Sequence, residues 1–311
     1  MLRLNTLANL HQHNAEKIPE KTAIVFRGEN VSYSQHFHRA VRLANALSDQ
    51  GCQVGDRVAV LAKNCLNYLE VYTACELAGY IIVPINFRLA IAEIHYVLEN
   101  TEPLVCFYSD EQRAILSTLF TDSSSDRKYI AFDGQGSAYE SFLQSGKDTA
   151  PDYSPAADDP ACIVHTSGTT GKPKGAILTQ GGLFGIAHTI GEDAEIGSDD
   201  YGLVMQPLFH VGAKFLQLAH HVKGASINLQ TNFEPEMVWR VLSEEKVTTM
   251  QLVPTMLAMV LDHVKDEAYP QTRLKLFFIL QRQYANLCYG EVLMFLVRSF
   301  FSNTDRLRLG R

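Results

Sequence analysis

DRVAVLAKNCLNYLEVYTACELAGYIIVPIN, residues 56–86, decides the fold. RVAVLA at 57–62 is short and apolar, as a buried strand requires, and YIIVPI at 80–85 is a second run of the same kind. Between them, Leu66 to Ala78 has the length and period of a helix, and Gly79 supplies the residue that can turn left-handed and close it. A strand, a helix and a strand in such quick succession form a βαβ unit, so the two strands should run parallel.

The pattern extends in both directions. TAIVF at 22–26, Arg27-Gly28-Glu29-Asn30 and VSYS at 31–34 read as a hairpin, with Gly28 and Asn30 as residues that tolerate positive φ. A helix should follow from Ser34, because Ala40, Leu43, Ala44 and Leu47 recur at spacings of three and four and Gly51 stops the run. PLVCFY at 103–108, YIAFD at 129–133 and ACIVH at 161–165 continue the strand series, with helical periods between the first two. Strands alternating with helical segments specify an α/β fold, sheets flanked by helices. DYSPAADDP at 152–160, rich in Pro and Asp, should be an exposed connector.

Composition narrows the class. A chain of 311 residues has room for about two domains at roughly 100–200 residues each, and 46% hydrophobic with 20% charged residues is the balance of a folded protein. The net charge of −7 opposes nucleic acid and anionic membrane at long range, so a bound polyphosphate must be held locally. Cys52, Cys65, Cys75, Cys106, Cys162 and Cys288 are dispersed, with no metal-ligand spacing, and read as reduced and mostly buried thiols. The opening MLRLNTLANLHQHNAEKIPEK lacks the apolar run of a secretory signal, and no stretch of eighteen apolar residues suggests a membrane span. The expected compartment is the cytoplasm.

The chemistry is concentrated in Thr166-Ser167-Gly168-Thr169-Thr170-Gly171-Lys172-Pro173-Lys174-Gly175, which holds three glycines, four hydroxyl residues and two lysines in ten positions. Glycine lets backbone N–H groups turn towards phosphate oxygens, hydroxyls add donors and lysines add positive charge. A plain polar turn would not need all of these together. A Walker-type loop needs Gly-x-x-x-x-Gly-Lys followed by Ser or Thr; here only two residues separate Gly168 from Gly171, and Pro173 follows Lys172.

TSGTTGKPKG at 166–175 is similar, without a mismatch, to the signature of the AMP-forming acyl- and aryl-CoA synthetases and their relatives. The block at 56–86, Pro207-Leu208-Phe209-His210-Val211-Gly212-Ala213 and VPTML at 253–257 resemble further blocks of that family in the right order. The resemblance implies the large N-terminal domain of adenylate-forming enzymes. It also implies a reaction: a carboxylate, fatty or aryl, attacks the α-phosphate of ATP, and the acyl-adenylate then passes its acyl group to a thiol, usually CoA. By resemblance Thr166, Ser167, Gly168, Thr169, Thr170 and Gly171 would wrap the β- and γ-phosphates, Lys172 and Lys174 would add charge beside Gly175, and Mg²⁺ would accompany the nucleotide. Lys174 and His210 are the candidate catalytic residues, His210 because its Phe-His block resembles the part bordering the acyl pocket. No residue is assigned as a metal ligand.

The resemblance ends near Leu276, so the expected organisation is a partial adenylation domain over 1–276 and a divergent tail over 277–311, without the family's small C-terminal domain. Tyr289-Gly290-Glu291 lacks the Thr-Glu spacing of the family's later element. From Leu274 onward six basic residues face two acidic ones, consistent with either a changed reading frame or a basic amphipathic helix at 291–301. Two functions follow: a working ligase, or an inactive nucleotide-binding remnant of one. Elsewhere the residues read as structural. Trp239 with Val238, Val241 and Leu242 belongs to a core, His220 and His221 point about 100° apart on a helix, make a poor metal site and read as surface or structural residues, and Met250, Met256 and Met259 should fill packing gaps.

Overall fold

Tyr68 to Ala78 are all buried, so the helix read between the two strands is enclosed on every side. The computed structural model describes residues 4–117, 127–133, 138–166, 173–245, 247–263 and 275–278. These fall into two compact units, Met1–Phe233 and Glu234–Arg311.

In chain order the first unit begins with α1 (Leu7–Lys17), β1 (Thr22–Phe26), β2 (Glu29–Ser32) and α2 (Tyr33–Asp49). The βαβ unit follows as β3 (Arg57–Leu61), α3 (Leu66–Ala78) and β4 (Ile81–Pro84). Next come α4 (Ile91–Thr101), β5 (Val105–Tyr108), α5 (Arg113–Ser117), β6 (Lys128–Ala131) and α6 (Ala138–Ser145). The unit closes with β7 (Pro160–Thr166), β8 (Lys174–Thr179), α7 (Gln180–Asp193), β9 (Tyr201–Val204), α8 (Val211–Val222) and β10 (Ser226–Leu229).

One sheet runs β9-β10-β1-β2, parallel except for β2. The other runs β6-β5-β3-β4-β7-β8, parallel except for β8. Helix α3 packs on β3 and β4 and against α1 and α2, while α2 reaches β1 and β2 and α8 lies on β9 and β10. Helices thus fill the space between the sheets, and α4 adds Ile94, Val97 and Leu98 to a core with Leu61, Val83 and Ile85.

The structure bears out the βαβ reading: β3 and β4 are parallel, and Gly79 ends α3 at φ 73°. The first hairpin differs in detail. Its two turn residues are Arg27 (φ 52°) and Gly28 (φ 81°), with Asn30 inside β2. Positive φ at both central residues matches the twist of the strands. Ser32 then caps α2: its hydroxyl accepts from the Gln35 N–H at 3.1 Å, and its own N–H donates to the Gln35 side chain at 2.8 Å.

A buried polar network ties the helices together. Glu76 on α3 meets His11 Nε2 of α1 at 2.7 Å and Lys214 Nζ of α8 at 2.9 Å, all three side chains 5% exposed or less. The Lys214 contact is an ion pair without hydrogen-bond alignment, and the ammonium also sits 4.5 Å above the Tyr72 ring. Burial alone would raise the Glu76 carboxyl, but Lys214 and His11 outweigh it and hold it below the ordinary range. His220 and His221 are both buried, which settles their role as structural rather than surface residues.

The second unit contains α9 (Pro235–Glu244), β11 (Thr249–Leu252), α10 (Pro254–His263) and β12 (Lys275–Phe278), with β11 and β12 parallel and α9 against α10. Trp239, Val238, Val241 and Leu242 are buried as expected. The methionines do not act together: Met250 is buried, whereas Met259 is 53% exposed and fills no gap. Its place on an open helix face explains the difference, since methionine alone carries no information about which face it occupies. Among the described residues no helix is long and apolar enough to cross a membrane, and Cys52, Cys75, Cys106 and Cys162 are free and buried, with Cys65 partly so. Cys288, Tyr289-Gly290-Glu291 and the rest of 279–311 lie outside the described residues.

Candidate functional site

The glycine- and lysine-rich segment joins two antiparallel strands. β7 pairs with β8 so that Thr166 stands opposite Lys174 and His165 opposite Gly175, which brings both ends of the segment to one place. Thr166, Lys174 and Gly175 are exposed. Lys174 is paired with no carboxylate among the described residues, leaving its charge available to an anion. Ser167, Gly168, Thr169, Thr170, Gly171 and Lys172 lie outside the described residues.

Gly175 is set by packing. A Cβ there would stand 2.8 Å from Ile163 Cγ2 and 3.4 Å from His165 Nε2, so only glycine lets these two side chains lie across the strand. His165 was not singled out by the sequence. Both of its ring nitrogens are buried without a hydrogen-bond partner among the described residues, and burial pushes its pKa down. The neutral ring is a consequence of desolvation, which no local spacing announces.

The second candidate region lies beyond the carboxyl end of β9. Leu208 is held at both of its peptide groups by side chains: its N–H donates to Asn64 Oδ1 at 2.7 Å, and its carbonyl accepts from the Tyr72 hydroxyl at 2.9 Å. Phe209 meets Phe87 edge to face at 5.4 Å, and the Arg88 guanidinium lies 5.4 Å from the Phe87 ring centre. These aromatic contacts make an apolar wall.

His210 occupies the N-cap position of α8, although its side chain caps nothing. Its ring packs at 4.5 Å on Phe209, and the residue is exposed. Partial desolvation first, and the positive charge of Arg88 second, hold its pKa below the ordinary imidazole value. Near neutral pH it is therefore an uncharged donor or acceptor. Among the described residues its ring contact is with Phe209. Thus Thr166, Lys174 and Gly175 are gathered on one sheet, and His210 belongs to a loop of the other.

Among the described residues no group of three or more His, Cys, Asp or Glu side chains could hold a metal ion. The sequence reading also passed over Asn64 and Tyr72, although both fall in the 56–86 block. Their hydrogen bonds go to main-chain atoms more than a hundred residues away, beyond the reach of periodicity or composition.

The profile of the family described as AMP-binding enzyme matches residues 11–303. A feruloyl-CoA synthase of Amycolatopsis sp is 32% identical over 263 residues, covering 84% of this chain and 51% of the relative. The indoleacetate–CoA ligase of Aromatoleum aromaticum is 36% identical over 248 residues, covering 78% and 48%. The chain spans about half the length of these curated relatives. ATP-bound MatB from Rhodopseudomonas palustris superposes with a TM-score of 0.75 at 25% identity, over 87% of this chain and 54% of that one. The inhibitor-bound N-terminal domain of FACL13 from Mycobacterium tuberculosis shares the fold, with a TM-score of 0.79 at 23% identity over 88% and 70%.

Proposed function

Because the chain belongs to the family of AMP-binding enzymes, we propose that it takes part in ATP-dependent activation of a fatty or aryl acid to an acyl-adenylate, followed by thioester formation with CoA. The observation that carries this is the β7–β8 hairpin, which sets Thr166 opposite an exposed Lys174 that has no ion-pair partner among the described residues, on the two strands that hold the ends of the TSGTTGKPKG segment.

Bringing a carboxylate to a triphosphate requires two anions to meet. A fixed cation lowers that barrier only if it lies where charge gathers in the transition state, and the departing pyrophosphate is where it gathers. Lys174, with a strand backbone behind it, meets that need. His210, neutral and backed by Phe209, suits the other side, where an uncharged imidazole can direct a carboxylate by hydrogen bonding without trapping it as an ion pair. The Phe87–Phe209 wall favours an acid with an apolar or aromatic body. Mg²⁺ enters this proposal with the nucleotide and has no assigned protein ligand.

The test is carboxylate-dependent release of AMP and pyrophosphate from ATP, Mg²⁺ and CoA, with a panel of aryl and fatty acids. Turnover that Lys174→Ala lowers by roughly 10²-fold, the order expected for one transition-state donor, supports the proposal. ATP binding with no release for any acid would reduce the function to nucleotide binding.

A further inference from the structure

Asn64 is 2% exposed and uses three of its four hydrogen-bonding positions on backbone atoms. Its Nδ2 donates to the carbonyls of Gln206 at 2.9 Å and Gln230 at 3.0 Å, while Oδ1 accepts from the Leu208 N–H at 2.7 Å. Two carbonyls and one N–H define the orientation of the amide without ambiguity. Asn64 follows β3, Gln206 follows β9 and Gln230 follows β10. The parallel strands of each sheet have their carboxyl ends here, the usual place for a ligand in an α/β fold. One side chain therefore laces the carboxyl edge of one sheet to that of the other.

We propose that Asn64 is a positioning residue that sets the His210 block against the phosphate hairpin. This rests on reading the two regions as halves of one ligase site. The hairpin is anchored through β7 to β4 and β3, the strand that leads into Asn64; the His210 block hangs from β9. For in-line attack the carboxylate held on one side must meet the α-phosphate held on the other, and a misplacement of about 1 Å can cost on the order of 10²-fold in rate. Asn64 acts on this relative placement and leaves the affinity of the hairpin for nucleotide alone.

The experiment measures the Kd of the full chain for MgATP and for an acyl-sulfamoyl-adenosine, a stable mimic that occupies both halves. Asn64→Ala should leave the Kd for MgATP within about twofold and weaken the mimic about tenfold, the scale of a lost buried hydrogen-bond set. Asn64→Asp keeps the acceptor for Leu208 but offers a donor only when protonated, so its binding of the mimic should improve relative to wild type as pH falls. Tyr33→Phe serves as a purely structural comparison. It removes the buried 2.6 Å bond from the Tyr33 hydroxyl to the Ala225 carbonyl and should lower Tm without separating the two ligands. Hydrogen exchange at the Leu208 amide, which needs no ligand, should accelerate in Asn64→Ala while β7 and β8 stay protected.

Equal Kd changes for both ligands, or an unchanged mimic Kd with unchanged exchange at Leu208, would overturn the role of Asn64. Wild-type protein that binds neither ligand would instead remove the ligase reading itself. If Asn64→Ala does not fold, Asn64→Asp and its pH dependence decide alone.

Discussion

Lys174 and Gly175 are neighbours in opposite settings, one with its side chain exposed and the other at a position too crowded for any side chain. Gly175→Ala would place a methyl 2.8 Å from Ile163 Cγ2. Relief requires moving a β-branched side chain that packs on the sheet core, so about 1–3 kcal/mol of stability should be lost, read as a lower Tm. At His210 the expected change is in titration. Arg88→Gln removes a positive charge that disfavours the imidazolium, so the His210 pKa should rise towards the ordinary value of about 6.5. An NMR titration of the imidazole measures this directly, and an unchanged midpoint would show that desolvation acts alone. At this scale the sequence marked Gly175, where the packing leaves no room for a side chain. It was silent on His165 and Asn64, whose significance lies in which atoms surround them.

At the scale of elements, α3 was legible to the residue, because a mostly apolar run of helical length between two strands is closed by Gly79. Helix α1 was not legible. It buries His11 and Asn14 alongside Leu7, Ala8 and Leu10, so its inward face is partly polar and the apolar period is broken. The Asn14 side chain donates to the His221 carbonyl at 2.8 Å, a tertiary partner that local pattern cannot supply. Helix α8 illustrates a second kind of hidden constraint. Its His220 ring approaches β9 so closely that a Cβ on Gly202 would lie 2.4 Å from Nε2. Gly202→Ala should therefore force α8 away from the sheet and destabilise the protein by about 1–3 kcal/mol, measured by chemical denaturation. A neutral effect would mean that α8 can shift freely on β9.

For the whole molecule, two buried histidines, His36 on α2 and His221 on α8, predict a response to acid. Burial first, then nearby positive charges, lowers His36 to about 3 and takes His221 well below its ordinary value. Both histidines stay neutral in the folded chain while the unfolded chain protonates them near pH 6.5. The unfolded state therefore binds more protons below that point, and stability should fall as pH drops from about 6.5, by up to about 2.7 kcal/mol per unit for the two sites. Glu76, held low in the fold, adds its loss only below the carboxylate range of the unfolded chain, about 4.5. Denaturation curves at neutral pH and at two acid values test this, and a flat profile between pH 6.5 and 5 would contradict it. The sequence announced the α/β class, but the meeting of α1, α3 and α8 around Glu76 depends on three distant segments coming together.

The Asn64 contacts have an evolutionary consequence. Since the amide's hydrogen bonds among the described residues go to main-chain atoms of residues 206, 208 and 230, those bonds do not depend on which side chains these positions carry. The block proposed to border the acid can then diversify while its placement is kept. A mutational library over positions 206–209 would then sample new acid preferences on an unchanged scaffold, a separation of tolerance from precision that a side-chain-to-side-chain brace would forbid.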